Sequence, residues 1–556
     1  MAALCFLLAI TAFCCWYLFS GHDYLAHWYL GLNNCFYRAP YWSTLVFTPA
    51  IKVSGNYYAI VAFITAVSGI AYTIFRLKRN TPDKAPLVIT YNIYDLLSAA
   101  ACILSGICLW LWGNHQALPA YDEVFSAQNA AGVHPFQCIS YYMLPNNHMG
   151  YNLLNNLLFH AASDKVVSGR WLSLICYCCF IVIVFSGTKK LLQNRWFALL
   201  LSVALAMQFQ VWGFSFQARG YELCLLCEFG MLLSLLGYLY SAGQRWLYLN
   251  ILCCVAGYFC LPSFLYFHAA QLLFIVLYQL CYRKFDLALW KYQLFVFSFA
   301  FFCYLPVLCF SGIDVLTHNT YVVPMGDFKT AGDFCRWMFP SLLPYLAHVF
   351  SNLSAYGRSP INLLLFFMPL ALLFNRKNKM NVLFGLFYLC MWLAFFAIAI
   401  IMKRLPFERN LIGHYSVILA GDLLVLYWLT GIGAAKTKGL FRAILFPALL
   451  ALLAIHFIQT NPVLLKDTLY QYDVNHEYTE LSNALSFLPP GTTVGFSDEG
   501  FFCCYACKKN GFVVSKCPSG AEDYYIKETA ETLPTQLSVN YTFLKHVTFY
   551  DVYKRN

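Results

Sequence analysis

Two adjacent carboxylates, Asp122 and Glu123, follow closely on an apolar segment, and further along the chain runs Pro145-Asn146-Asn147-His148. A carboxylate held at a membrane interface can act as general base toward a hydroxyl. Asparagine and histidine can hydrogen-bond a sugar or a phosphate. The same acidic pair would equally suit the first turn of a juxtamembrane helix, where a carboxylate satisfies free N–H groups. The residues alone leave both readings open. Three sets of cations add to the picture: Arg170, then Gln217-Ala218-Arg219-Gly220-Tyr221, then Lys403-Arg404-Leu405-Pro406-Phe407-Glu408-Arg409. The planar guanidinium fork matches a phosphate with two parallel hydrogen bonds. The alternatives are snorkelling to lipid headgroups or pairing with Glu222 and Glu408.

The elements that must position these residues are membrane spans. The chain has 556 residues, of which 60% are hydrophobic and only 11% charged, so most of it must have the bilayer as solvent. The net charge of +11 comes mostly from short basic runs between apolar segments, which argues for cytoplasmic loops and against a nucleic-acid partner. Apolar segments recur at 4–20, 57–75, 91–113, 170–187, 196–213, 221–241, 246–262, 264–282, 291–311, 361–375, 382–402, 411–431 and 441–459, which predicts about thirteen spans. The first lacks a basic leader and a clear small-residue cleavage site, so it reads as a retained span.

With the N-terminus cytoplasmic, each short inside loop carries Lys or Arg, from Arg76, Lys78 and Arg79 to Lys436, Lys438 and Arg442. The loops 114–169 and 312–360 and the tail 460–556 then lie outside. In the first loop, Leu153, Leu154, Leu157, Leu158 and Ala161 share one helical face and Asn152, Asn155 and Asn156 another, as in an interfacial helix. The second loop, with Asp314, His318, Tyr321, Asp327 and Arg336, reads as a cover for the site or as a passive connection.

The tail has the composition of a soluble α/β domain, with a helix over 477–487 and strands over 492–496 and 547–552. Of the 24 cysteines, most lie in apolar runs and act as small hydrophobes. Cys503, Cys504, Cys507 and Cys517 stand apart. Outside the cytoplasm they suit a disulfide, with free thiols or a metal as alternatives.

Taken together, these motifs resemble the GT-C class of membrane glycosyltransferases, and within it the family 39 group of protein O-mannosyltransferases and the lipid A aminoarabinose transferase. Five parts carry the resemblance over about 90–556. They are the acidic pair Asp122-Glu123, the juxtamembrane stretch from Pro145-Asn146-Asn147-His148 into Leu153 to Phe159, Arg170 opening a span, Arg219-Gly220-Tyr221, and Arg404 to Arg409 before the last spans. The resemblance implies a catalytic role for Asp122 as base, with Glu123 positioning the acceptor or tuning the base. It implies substrate binding by Asn146, Asn147, His148, Arg170, Arg219, Tyr221, Arg404 and Arg409. The implied partners are a polyprenyl-phosphate sugar donor such as an undecaprenyl carrier, a glycan, lipid or protein acceptor, and the lipid bilayer.

The implied fold is a GT-C-like bundle with outer juxtamembrane helices and a small extracytoplasmic α/β domain, in a multi-pass protein of a bacterial inner membrane. The sequence departs from the pattern by placing the acidic loop after the third span. This sets 1–88 apart as an N-terminal two-span module, with 89–459 as the transmembrane catalytic region and 460–556 as the outer domain. No Asp-x-Asp motif stands in the outer loop, so no cofactor or obligatory metal is expected, while a divalent ion is left open. His148, Glu123 and His268 have no metal-site spacing. Competing readings are a transporter or flippase of lipid-linked sugars, for which Glu228 and Asp422 would be the in-span acids, a polysaccharide polymerase or ligase, and a non-catalytic scaffold.

Overall fold

The computed structural model describes residues 2–32, 47–78, 92–142, 147–241, 243–317, 328–338 and 360–433, most of 448–459, and, with short gaps, 481–496, 501–515 and 520–556. Among these, eight helices are long and apolar enough to cross a membrane: Pro49–Phe75, Ile93–His115, Lys165–Leu192, Tyr221–Ser241, Phe264–Tyr282, Leu287–Phe310, Lys379–Met402 and Arg409–Thr430. The protein is a multi-pass membrane protein. A bent pair, Arg195–Ala206 and Phe209–Ser215, makes a ninth crossing if taken as one span broken by 67°. Of the other expected spans, Ala3–Phe19 and Leu363–Phe374 are shorter apolar helices and Gln244–Cys260 is a helix of 17 residues. Of the last, 441–459, residues 441–447 lie outside the described residues.

The spans begin where side chains satisfy the free N–H groups of the first turn. Asp164 accepts from Val166 and Val167, at 2.9 and 3.2 Å, and so starts Lys165–Leu192. Asn92 and Asp95 form a reciprocal capping box ahead of Ile93–Gln116. The buried Asp95 carboxylate also pairs with Lys189 and so ties this helix to the far end of Lys165–Leu192.

Short helices fill the segment between the second and third of these spans. The interfacial helix, expected at 151–161, runs Met149–Leu158. Its asparagines are buried and its Leu154, Leu157 and Leu158 are exposed. In a bilayer that is the stable orientation, because leucine prefers lipid and each asparagine amide finds protein partners. Asn155 Nδ2 donates to the Lys165 carbonyl at 2.8 Å, and Asn156 Nδ2 donates to the carbonyls of Ala131 and Val133. Asn152 Nδ2 donates to Asn147 Oδ1.

The N-terminal helices Ala2–Phe19, His22–Gly31 and Pro49–Lys78 lean on this region. Gln137 and Ser140 donate to the Tyr29 carbonyl and hydroxyl, each at 3.1 Å, and Tyr17 donates to the Cys309 carbonyl at 2.7 Å.

The C-terminal segment forms a five-stranded sheet of order β2-β1-β3-β5-β4, with β1 Thr493–Phe496, β2 Val513–Ser515, β3 Tyr524–Glu528, β4 Tyr541–Val547 and β5 Tyr550–Arg555. β1 pairs in parallel with β2 and β3, and the helix Phe501–Lys509 makes the crossover from β1 to β2. The strand expected over 547–552 is two strands in part: Val547 ends β4, Tyr550 to Val552 open the antiparallel β5, and 548–549 lie outside the described residues. Alternating Val and Tyr suit either arm, so the apolar pattern alone does not locate the reversal. The helix expected over 477–487 is described only in part. Cys503, Cys504 and Cys507 are buried on one short helix, and Cys517 lies outside the described residues. One apolar cluster joins Leu481, Leu485, Phe496, Cys503 and Ala506 of this domain to Val124, Phe125 and Ala127, directly after the acidic pair.

Candidate active site

The two residues of the acidic pair take different partners, and Glu123 takes the capping place. Ala120 precedes the helix Tyr121–Ser126, and its N–H donates to Glu123 Oε2 at 2.8 Å, as a glutamate in the third helical position allows. The Arg170 fork donates to both Glu123 oxygens, from Nε at 3.0 Å and from Nη2 at 2.9 Å. The Ala218 N–H donates to Oε1 at 2.6 Å. Glu123 is 1% exposed and holds four hydrogen bonds. Arg170 spends its remaining donors on Asn114 Oδ1 and on the carbonyls of Ala117 and Leu118. The pair therefore knots three pieces of chain together and turns neither charge toward solvent.

Asp122 points the other way. Its Oδ2 lies 3.2 Å from Arg219 Nη1 and 3.1 Å from Arg409 Nη1. The carboxylate is 33% exposed, Arg409 is 35% exposed and Arg219 only 2%. Arg219 Nη2 also approaches the Tyr221 hydroxyl and His148 Nε2, both at 3.3 Å. The Tyr221 ring stands edge-on to the imidazole, with centroids 4.9 Å apart.

His148 is held by a contact that the sequence did not suggest. The Gly220 N–H donates to Nδ1 at 2.7 Å. A Cβ at position 220 would come within 3.0 Å of the imidazole and 2.5 Å of Cys260 Sγ, so the close approach requires glycine. With Nδ1 accepting, the neutral ring carries its proton on Nε2, which faces the Arg219 guanidinium. Two donors then face each other, and Arg219 Nε is buried with no hydrogen-bond partner among the described residues. An anionic oxygen placed here would satisfy all of them.

Burial, then the charges of Arg219 and Arg409, hold the His148 pKa well below its ordinary value. Below about pH 6.5 the unfolded chain binds this proton and the folded chain does not, so stability should fall as pH falls. His148→Gln should therefore flatten the loss of melting temperature between about pH 7 and about pH 5. An unchanged slope would remove His148 from that balance.

The remaining expected residues divide. Asn147 is buried and anchors the segment before His148 by donating to the carbonyls of Cys138 and Tyr141, at 2.9 and 2.8 Å. Asn146 lies outside the described residues, as do His318, Tyr321 and Asp327. Arg404 is half-buried and its side chain makes no hydrogen bond or ion pair among the described residues. Arg336 is exposed and pairs with its neighbour Asp333. Glu228 and Asp422 are buried within helix contacts. Among the described residues, no three His, Cys, Asp or Glu side chains gather as a metal site requires.

No family model matches the sequence, and no curated protein matches it. The fold, in contrast, is shared with a solved structure. The crystal structure of ArnT from Cupriavidus metallidurans bound to undecaprenyl phosphate aligns with a TM-score of 0.54 at 11% identity, covering 83% of this chain and 97% of that one. The same protein in the apo state gives 0.48 at 12% identity, over 83% and 97%. The arabinosyltransferase EmbB from Mycobacterium smegmatis gives 0.41 at 13% identity, over 68% of this chain and 34% of that one. The chain thus has the fold of the GT-C class, with a small sheet domain at its C-terminus.

Proposed function

We propose that the protein is a membrane glycosyltransferase that moves a sugar from a polyprenyl-phosphate carrier to an acceptor hydroxyl on the non-cytoplasmic face. One observation carries this reading: Arg219 and Arg409 share Asp122, the His148 Nε2–H lies against Arg219, and among the described residues the Arg219 Nε has no partner. Cations gathered next to a carboxylate suit a reaction in which a phosphate leaves while a hydroxyl is deprotonated. The fold adds support, since it is shared with a structure that holds undecaprenyl phosphate.

In this mechanism the donor phosphate enters from the bilayer and draws Arg219 and Arg409 away from Asp122. The freed carboxylate takes the proton of the acceptor hydroxyl as that oxygen bonds to the anomeric carbon. The carbon–oxygen bond to phosphate breaks, and the arginines and His148 stabilise the charge left on the phosphate. A single displacement inverts the anomeric centre. Glu123 and Arg170 are positioning residues: they hold the acidic helix and the Ala218–Gly220 turn in register.

The test is transfer of radiolabel from a total polyprenyl-phosphate-sugar extract to membrane acceptors by purified protein. Transfer that depends on the protein supports the reading, and none across a broad donor set overturns it. Arg409→Gln should raise the donor KM about tenfold or more, because a charge-assisted hydrogen bond contributes about 1.5–3 kcal/mol. An unchanged donor KM would take Arg409 out of the phosphate site.

A further inference from the structure

The C-terminal domain meets the acidic region in two ways, through the apolar cluster described above and across an open cleft. The cleft has a volume of about 510 Å³. One wall is Ala127, Gln128 and Gly132, the continuation of the helix that carries Asp122. The second is the turn 162–164 with the first helical residues Lys165 and Val166, and the third is the crossover helix with Tyr505, Lys508 and Lys509.

Its charge is one-sided. The lining holds three lysines, Lys165, Lys508 and Lys509, against one carboxylate, Asp164. That carboxylate is already engaged: it caps a span, pairs with Lys509 and accepts from the Tyr505 hydroxyl at 3.1 Å. Lys165 donates to the Phe159 carbonyl at 2.6 Å. Lys508 is exposed and makes no hydrogen bond or ion pair among the described residues. Gln128 and Ser163 supply neutral polar groups at the rim. Roomy clefts between a soluble domain and a catalytic body are common ligand sites, and a surplus of cations in one favours a negatively charged occupant.

We infer that this cleft is the acceptor site and that it takes an anionic glycan, bearing a carboxylate or a phosphate, with Lys508 as its charge contact. The inference rests on the transferase reading for the word acceptor, but binding itself does not need turnover. The wall 127–132 continues directly from the helix that carries Asp122, so the cleft and the carboxylate are joined by one stretch of chain. The C-terminal domain then has two tasks, bracing the acidic helix and selecting the acceptor by charge.

The experiment is calorimetric binding of a uronate disaccharide and of its neutral parent to the full-length protein in nanodiscs of neutral lipid. The uronate is offered both free and on a lipid anchor, which separates a soluble glycan from a glycolipid headgroup. Wild type should bind the uronate in at least one form and not the neutral sugar, and added salt should weaken that binding. Lys508→Glu should lose at least tenfold in affinity, and Lys508→Arg should retain it. Lys508 is exposed, so neither change disturbs folding through a buried contact.

Equal binding of the charged and neutral sugars, or of the uronate by wild type and Lys508→Glu, would overturn the inference. So would a Lys508-dependent preference for anionic lipid nanodiscs without any sugar, which would make the patch a membrane contact. Asp122→Asn should bind the uronate normally. Failure of sugar transfer by wild type with uronate binding intact would therefore count against the transferase reading and leave the anionic cleft standing.

Discussion

Asp122→Asn should lower sugar transfer by about 10²–10⁴-fold, the usual contribution of a general base, while the protein still folds and still binds its donor. Asparagine keeps the size and polarity of the side chain but cannot take a proton. The substitution also removes the anion that Arg219 and Arg409 share, at 3.2 and 3.1 Å. The two guanidiniums are then free for phosphate before any donor arrives. Donor affinity should therefore hold or improve as turnover falls, a split that misfolding cannot produce. Donor binding by fluorescence, measured beside single-turnover transfer, checks both halves. Transfer at the wild-type rate would remove Asp122 from the chemistry.

The largest effect on stability should come from Glu123. Its carboxylate is 1% exposed and the Arg170 side chain 10%. Glu123→Ala leaves a guanidinium buried without its counter-charge, which costs about 3–5 kcal/mol. It also frees the Ala120 and Ala218 N–H groups, each of which loses its carboxylate acceptor. Arg170→Ala should cost a similar amount from the other side. Glu123→Ala combined with Arg170→Met should recover much of the loss, because no unpaired charge remains. Thermal melting in detergent would show this pattern. Additive losses in the double variant would mean that the two residues act independently.

The sequence carried the outline of the fold because the bilayer imposes a long, simple apolar signal, and eight of the expected spans stand where those runs were read. It could not separate a straight span from a broken one at Met207 and Gln208, since the bend leaves composition unchanged. The acidic pair was visible by residue type, but the division of labour within it was not. Adjacent residues on a helix point about 100° apart, and which one faces inward depends on where Arg170 and Ala218 arrive. The Gly220–His148 hydrogen bond joins residues far apart in the chain, and no local pattern marks such a meeting. The asparagine face of Met149–Leu158 was legible as a pattern, but its burial follows from having lipid on the other side. The cationic cleft was missed because its lysines come from segments that only the tertiary fold brings together.

The shared grip of Arg219 and Arg409 on one oxygen of Asp122 has a kinetic meaning. On the proposed mechanism, an acceptor that arrives first finds the carboxylate occupied by two cations. Only a donor phosphate can exchange for it. The acceptor can seat in its cleft before or after the donor, but its hydroxyl is deprotonated only once the carrier's phosphate has drawn the two arginines away. Water reaching the partly exposed carboxylate ahead of the donor meets an oxygen already held by two cations, which makes it a weaker base.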